Sequence, residues 1–209
     1  MYLSPESLFS RYKNENPQLN TCSDTLWDIY EMIKSGFEKG GKLLLCGNGG
    51  SAADCDHIAG ELMKGFLLKR PVPEEFKSNP VLDGKGELLQ GALPAVSLAN
   101  QSALSTAYAN DMDAEMIYAQ QVYGLGREGD ALLAISTSGN ARNVCNALRV
   151  ARALGIKTIG LTGKSGGEMQ ELCDLCLCVP EDETYRIQEL HLPAYHALCA
   201  MLEAAFFTE

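Results

Sequence analysis

The chain has three histidines, His57, His191 and His196. His57 stands four residues before Glu61, so a helix would put both on one face, roughly 40° apart. Gln188 and His196 are eight apart, two turns plus roughly 80°, and can face one direction. His191 is turned from His196 by about 140° and reads as structural or solvated. If the two helices met, His57, Glu61, Gln188 and His196 would make a nitrogen–oxygen metal set. The same four would also make an acid–base pair with an orienting amide. The plain alternative for a lone histidine on an apolar helix such as that of His196 is a place in the core.

A second kind of chemistry is suggested by two loops. Leu43-Leu44-Leu45-Cys46 is a short apolar run, the mark of a strand buried on both faces. Gly47-Asn48-Gly49-Gly50-Ser51 follows, and the helix carrying His57 and Glu61 opens there. A strand turning through glycines into a helix lets bare backbone N–H groups face an anion. Ser51 is placed to cap that helix. The run lacks the Lys-Ser/Thr ending of a P-loop and the third glycine of a dinucleotide fingerprint. The other loop is Ser136-Thr137-Ser138, three hydroxyls at a strand end before a helix. Hydroxyls plus free N–H groups can hold a phosphate without lysine or arginine. Taken alone, each loop could be ordinary helix capping.

The elements that must position these groups alternate along the chain. Strands are expected at Leu43–Cys46, Leu93–Leu98, Asp130–Ile135, Lys157–Leu161 and Leu175–Val179. Helices are expected between them, at Ser102–Ala109, Glu115–Tyr123 and Asn143–Leu154 among others, joined by short turns. That pattern predicts an α/β fold, a parallel sheet covered on both sides, with ligands beyond the carboxyl ends of the strands. Ser4–Lys13 reads as a first helix with Ser4 as cap and Pro5 at its first position. Asn14–Asn20 reads as a polar linker. Leu26, Trp27, Ile29, Tyr30, Ile33 and Phe37 then recur at helical spacing up to Gly40-Gly41. This stripe suits either the chain's own core or another subunit. Residues 71–92 read as a long loop. The last helix, Thr184–Phe207, is expected to be interrupted by Pro193.

Composition narrows the partners. A net charge of −10 argues against nucleic acid as the main partner. No apolar run approaches the ~18 residues of a membrane span, and the first residues lack a signal pattern. The expected location is cytoplasmic. Eight cysteines include Cys173-Asp174-Leu175-Cys176, but no second pair stands at zinc-ribbon spacing, so they read as core thiols.

In order along the chain, these motifs resemble the sugar-isomerase (SIS) domain of phosphoheptose isomerases. The matching segments are Cys46–Ala53 with His57 and Glu61, Ala109-Asn110-Asp111, Gly129–Asn140, Leu161-Thr162-Gly163 and Arg186–His191. The resemblance runs from about Leu26 onward. It implies a three-layer, five-stranded parallel sheet of flavodoxin-like type at 41–209, preceded by N-terminal helices at 1–40 that serve oligomerisation. It implies conversion of sedoheptulose 7-phosphate to D-glycero-D-manno-heptose 7-phosphate through an enediol. Glu61 would be the base and His196 the partner acid. Ser136, Thr137 and Ser138 would hold the phosphate, and Asn48, Gly49, Gly50, Ser51, Asn110 and Asp111 the sugar, near Gln188. Some family members hold zinc at the positions of His57, Glu61, Gln188 and His196, where it would polarise the carbonyl. The family forms homotetramers with shared active sites.

The chain departs from the family pattern at four places. Ala141 replaces a usual serine of the phosphate loop. Gly65 stands where an arginine is common, with Lys64 beside it as a point charge. An insertion occupies 71–92, and Pro193 lies in the last helix. The alternatives left open are another sugar phosphate, a sugar-phosphate sensor, and a non-catalytic homologue that binds the replication initiator. In that last branch the position of His196 is not histidine.

Overall fold

The structure, a computed structural model, describes residues 4–207. Residues 1–3 and 208–209, the outer ends of the two expected regions, lie outside the described residues. The helices are α1 (Pro5–Glu15), α2 (Ser23–Glu38), α3 (Gly50–Met63), α4 (Glu74–Lys77), α5 (Ser102–Tyr108), α6 (Ile117–Leu125), α7 (Arg142–Ala153), α8 (Met169–Leu172) and α9 (Thr184–Phe207). The strands are β1 (Leu43–Gly47), β2 (Ala95–Ser97), β3 (Ala131–Ile135), β4 (Lys157–Thr162) and β5 (Leu175–Cys178).

The five strands pair in the order β2-β1-β3-β4-β5, all parallel. Leu43 sits level with Ala95 on one side and Ala131 on the other. This is the doubly wound order whose switch point lies between β1 and β3. Side chains of β1 alternate between two cores. Leu43 and Leu45 join Leu26, Ile29, Ile33, Ile58, Leu62 and Leu198 on one face. Leu44 and Cys46 join Tyr118, Val122, Val144 and Leu148 on the other. The sheet therefore lies between a layer containing α1, α2, α3 and α9 and a layer containing α6 and α7.

Several expectations change in detail. Residues 14–20 are not simply a polar linker: Pro17–Cys22 forms a 3₁₀ turn, and Leu19 is fully buried. Of the apolar stripe of α2, Leu26, Ile29, Tyr30 and Ile33 are buried in the chain's own core, and Trp27 and Phe37 are partly buried. The 71–92 stretch is a folded excursion, with α4 and two 3₁₀ turns, Pro80–Leu82 and Lys85–Leu88. Its neck is closed by a bridge between Pro71 and Gln90 and by Gly91 N–H donating to the Arg70 carbonyl at 2.6 Å. Pro193 does not interrupt α9, which runs unbroken for 24 residues. A proline removes one backbone donor, and burial on both sides of it, at Ala194, Tyr195, Leu198 and Cys199 as well as Ile187 and His191, holds the helix together.

Candidate active site

β1 ends at Gly47, whose carbonyl accepts from the Tyr118 hydroxyl at 2.5 Å. The turn into α3 needs φ +57 at Gly49, a conformation that side chains resist. Gly49, not Ser51, occupies the cap position, and no side chain caps this end. Ser51 is instead buried within the first turn. The N–H groups of Ser51, Ala52 and Ala53 donate to the carbonyls of Asn48 and Gly49 at 3.0–3.2 Å.

The loop after β3 lies across the switch point. Asn48 and Asn143 exchange two amide hydrogen bonds, 2.8 and 2.9 Å, tying the β1 loop to the first turn of α7. Gly139, at φ +67, packs so closely on Gly166 that a Cβ there would meet its carbonyl. Asn140 N–H donates to Ser138 Oγ at 3.2 Å, and Gly163 N–H to the Thr137 carbonyl at 3.0 Å. Ala141 caps α7 with no side-chain bond. Asn143 Oδ1 accepts from the Val144 N–H at 3.0 Å and the Ala141 carbonyl from the Cys145 N–H at 2.9 Å, so the first turn is partly satisfied from within the chain.

α3 and α9 lie side by side in the same direction. Gln188 packs on Gly50, where a Cβ would collide with its amide. Farther along, His196 Nε2 lies 3.4 Å from His57 Nε2. His57 Nε2 lies 3.2 Å from Glu61 Oε1, and Lys64 Nζ lies 3.2 Å from Glu61 Oε2. The Glu61 side chain is 14% exposed, so a reacting group can reach it from one side only. Burial, with His57 close by, holds the His196 imidazole below the usual histidine range, against the pull of Glu61.

The structure thus brings His57, Glu61 and His196 together, and puts Gln188 with Asn48, Gly49, Gly50 and Ser51. Gln188 stands about 12 Å of helix rise before His196, so the expected quartet is divided between two places in this conformation. Asn110 and Asp111 lie exposed on a π-helical segment, Ala109–Asp113, bonded to each other at 2.8 Å. His191 is fully buried, with Nε2 3.3 Å from the Thr162 carbonyl oxygen, in keeping with a structural role. All eight cysteines are free thiols.

Two supporting residues were missed in the sequence. Arg70 is 1% exposed and donates to Glu203 Oε1 at 2.7 Å, to the Leu62 carbonyl at 2.7 Å and to the Glu61 carbonyl at 2.9 Å. Glu203 also accepts from the N–H groups of Phe66, Leu67 and Leu68. This buried pair closes the end of α3 that carries Glu61 and binds it to α9. A single charge in the apolar run Met201-Leu202-Glu203-Ala204-Ala205 was the available signal, since such a group needs a partner.

Comparisons with known proteins agree with this architecture. A family model described as the SIS domain matches residues 94–207, more than half of the chain. The chain belongs to the SIS-domain family, whose sheet and strand-end loops are those described above. A phosphoheptose isomerase from Roseiflexus sp. (strain RS-1) is 42% identical over 191 residues, covering 91% of this chain and 87% of the relative. The structure of a phosphoheptose isomerase from Neisseria gonorrhoeae superposes with a TM-score of 0.74 at 32% identity, over 94% of this chain and 93% of the other. One from Francisella tularensis gives 0.76 at 33%, over 92% and 91%. Within the SIS family, the chain is a member of the phosphoheptose isomerases.

Proposed function

We propose that this protein interconverts sedoheptulose 7-phosphate and D-glycero-D-manno-heptose 7-phosphate as an aldose–ketose isomerase. The observation that carries the reading is the meeting of Glu61, His57 and His196 from α3 and α9, in a sheet whose strand-end loops after β1 and β3 are tied by Asn48 and Asn143. In the forward direction Glu61 removes a proton from C1 of the open-chain ketose. The electrons form the C1–C2 double bond of an enediol. Glu61 then returns a proton to C2, while His196 passes the hydroxyl proton from O1 to O2. The phosphate is assigned to Ser136, Thr137 and Ser138, before the N-terminus of α7. Asn48–Ser51 and Gln188 are assigned to the sugar.

Zinc fits part of this set. Donors about 2.0–2.1 Å from a tetrahedral ion stand about 3.3 Å from one another. The His57–His196 and His57–Glu61 separations of 3.4 and 3.2 Å match that edge. Yet no group of three or more His, Cys, Asp or Glu among the described residues is closed around a metal position. His57, Glu61 and His196 would hold the ion, while Gln188, the expected fourth donor, packs against Gly50 in this conformation. When bound, zinc would polarise the substrate carbonyl.

We also assign to this chain a homotetramer with shared sites. Exposed Leu104 and Met112 beside Asn110 and Asp111 support a neighbouring copy at that segment. No helix among the described residues is long and apolar enough to cross a membrane. The negative charge supports an enzyme with no nucleic-acid partner. The test is to incubate the protein with sedoheptulose 7-phosphate and, in parallel, with five- and six-carbon ketose phosphates. Preferred turnover of the seven-carbon sugar supports the assignment; preference for a shorter one overturns it.

A further inference from the structure

Tyr195 precedes His196 on α9 and is 1% exposed. Its hydroxyl donates to Asp54 Oδ1 at 3.2 Å and stands 3.0 Å from His57 Nδ1. Asp54 and His57 are three residues apart on α3 and so share a face. A phenol has one hydrogen to give. With that hydrogen on Asp54, the tyrosine oxygen is left to accept from His57 Nδ1–H. The free lone pair is then on Nε2, the atom facing Glu61 and His196. Asp54 Oδ2 is buried with no hydrogen-bond partner among the described residues. Burial raises the Asp54 carboxyl above its ordinary range, opposed by the tyrosine bond and by His57. The Tyr195 ring also meets both imidazoles edge-on, at 5.5 and 5.1 Å between centroids, which limits their rotation.

We propose that Tyr195 and Asp54 are positioning residues that lock His57 in the Nδ1–H tautomer and aim its Nε2 lone pair into the active site. This rests on the proposed function only in taking Nε2 of His57 as a working atom of that site. A hydrogen-bonded chain behind a histidine fixes both ring orientation and basicity.

The test uses the full chain with ¹⁵N-labelled histidine, at about pH 8 so that the imidazoles are neutral. The spectra are recorded after chelation so that no metal on Nε2 fixes the tautomer, and turnover is measured on the protein as purified. Long-range ¹H–¹⁵N spectra report which ring nitrogen bears hydrogen, and His57→Gln assigns the signal. The expected wild-type result is hydrogen on Nδ1 of His57. Tyr195→Phe should mix the two tautomers and lower kcat roughly 10- to 100-fold with little change in KM. Asp54→Asn keeps an oxygen acceptor without the charge and should lose less. Hydrogen on Nε2 in the wild type overturns the proposal, whether or not either variant folds. So does a Tyr195→Phe protein with unchanged tautomer and kcat. A protein that shows the expected tautomers but does not turn over the heptose phosphate contradicts the functional assignment instead.

Discussion

His57 and His196 are 139 positions apart in the sequence, yet their Nε2 atoms stand 3.4 Å from each other. The parallel packing of α3 and α9 makes that meeting possible, and Glu61 one turn beyond His57 joins it. A carboxylate and two imidazoles thus meet on the facing sides of α3 and α9, about two turns along α3 from the loop after β1. Each consequence below follows from that arrangement.

Glu61 is the group assigned to move the carbon-bound proton. Glu61→Gln keeps size and polarity, so the fold should survive. Its kcat should fall by roughly 10²–10⁴-fold, the usual contribution of a general base. Steady-state kinetics beside a thermal melt checks both halves, and a variant with wild-type kcat removes Glu61 from the mechanism.

Arg70 and Glu203 are buried together. Removing one partner of such a pair strands the other charge, at a typical cost of about 3–5 kcal/mol. Arg70→Met should therefore shift denaturant unfolding strongly, while Arg70→Met combined with Glu203→Met should recover part of the loss. A surface arginine replaced in the same way, Arg11→Met, should change little, since the Arg11–Glu15 pair is exposed. Equal small effects at both sites would contradict the role given to the buried pair.

His191 is buried, and burial lowers its pKa to about 4 from 6.5. The unfolded chain therefore takes up this proton at higher pH than the folded one. The contribution to stability is complete above pH 6.5 and is lost as pH falls through 4. Its size is about 3 kcal/mol on the usual conversion. Unfolding free energies measured across that window should fall more steeply for the wild type than for His191→Gln. Parallel curves would deny the group this role.

Metal content provides an independent check on the zinc assignment. Purified protein should carry about one zinc per chain, and His57→Ala or His196→Ala should lose it. Chelation should lower kcat, and added zinc should restore it. A metal-free protein at full rate would leave these side chains with acid–base work alone.

Much of this arrangement was readable in the sequence because it is local. Apolar runs marked all five strands, and the four-residue spacing of His57 and Glu61 put them on one face before any coordinates. Glycines marked the turn into α3, but not that Gly49 would take the cap position from Ser51. What escaped was long-range. Arg70 meets Glu203 across 133 positions, and Asn48 meets Asn143 across 95. No periodicity encodes such pairs; packing of whole elements creates them. The 71–92 excursion was opaque for the opposite reason. Its neck is closed by Gly91 N–H on the Arg70 carbonyl, and its short turns are held by local bonds such as Leu82 N–H on the Asn79 carbonyl rather than by an apolar pattern.

The most direct measurement is turnover of sedoheptulose 7-phosphate in deuterated water, with the heptose product examined by NMR. Proton removal at C1 and return at C2 through Glu61 predicts solvent deuterium at C2 of the product. Complete transfer of a C1 deuterium label to C2 with no solvent exchange, at an undiminished rate in Glu61→Gln, would mean that a hydride passes directly between the carbons, and would contradict the account.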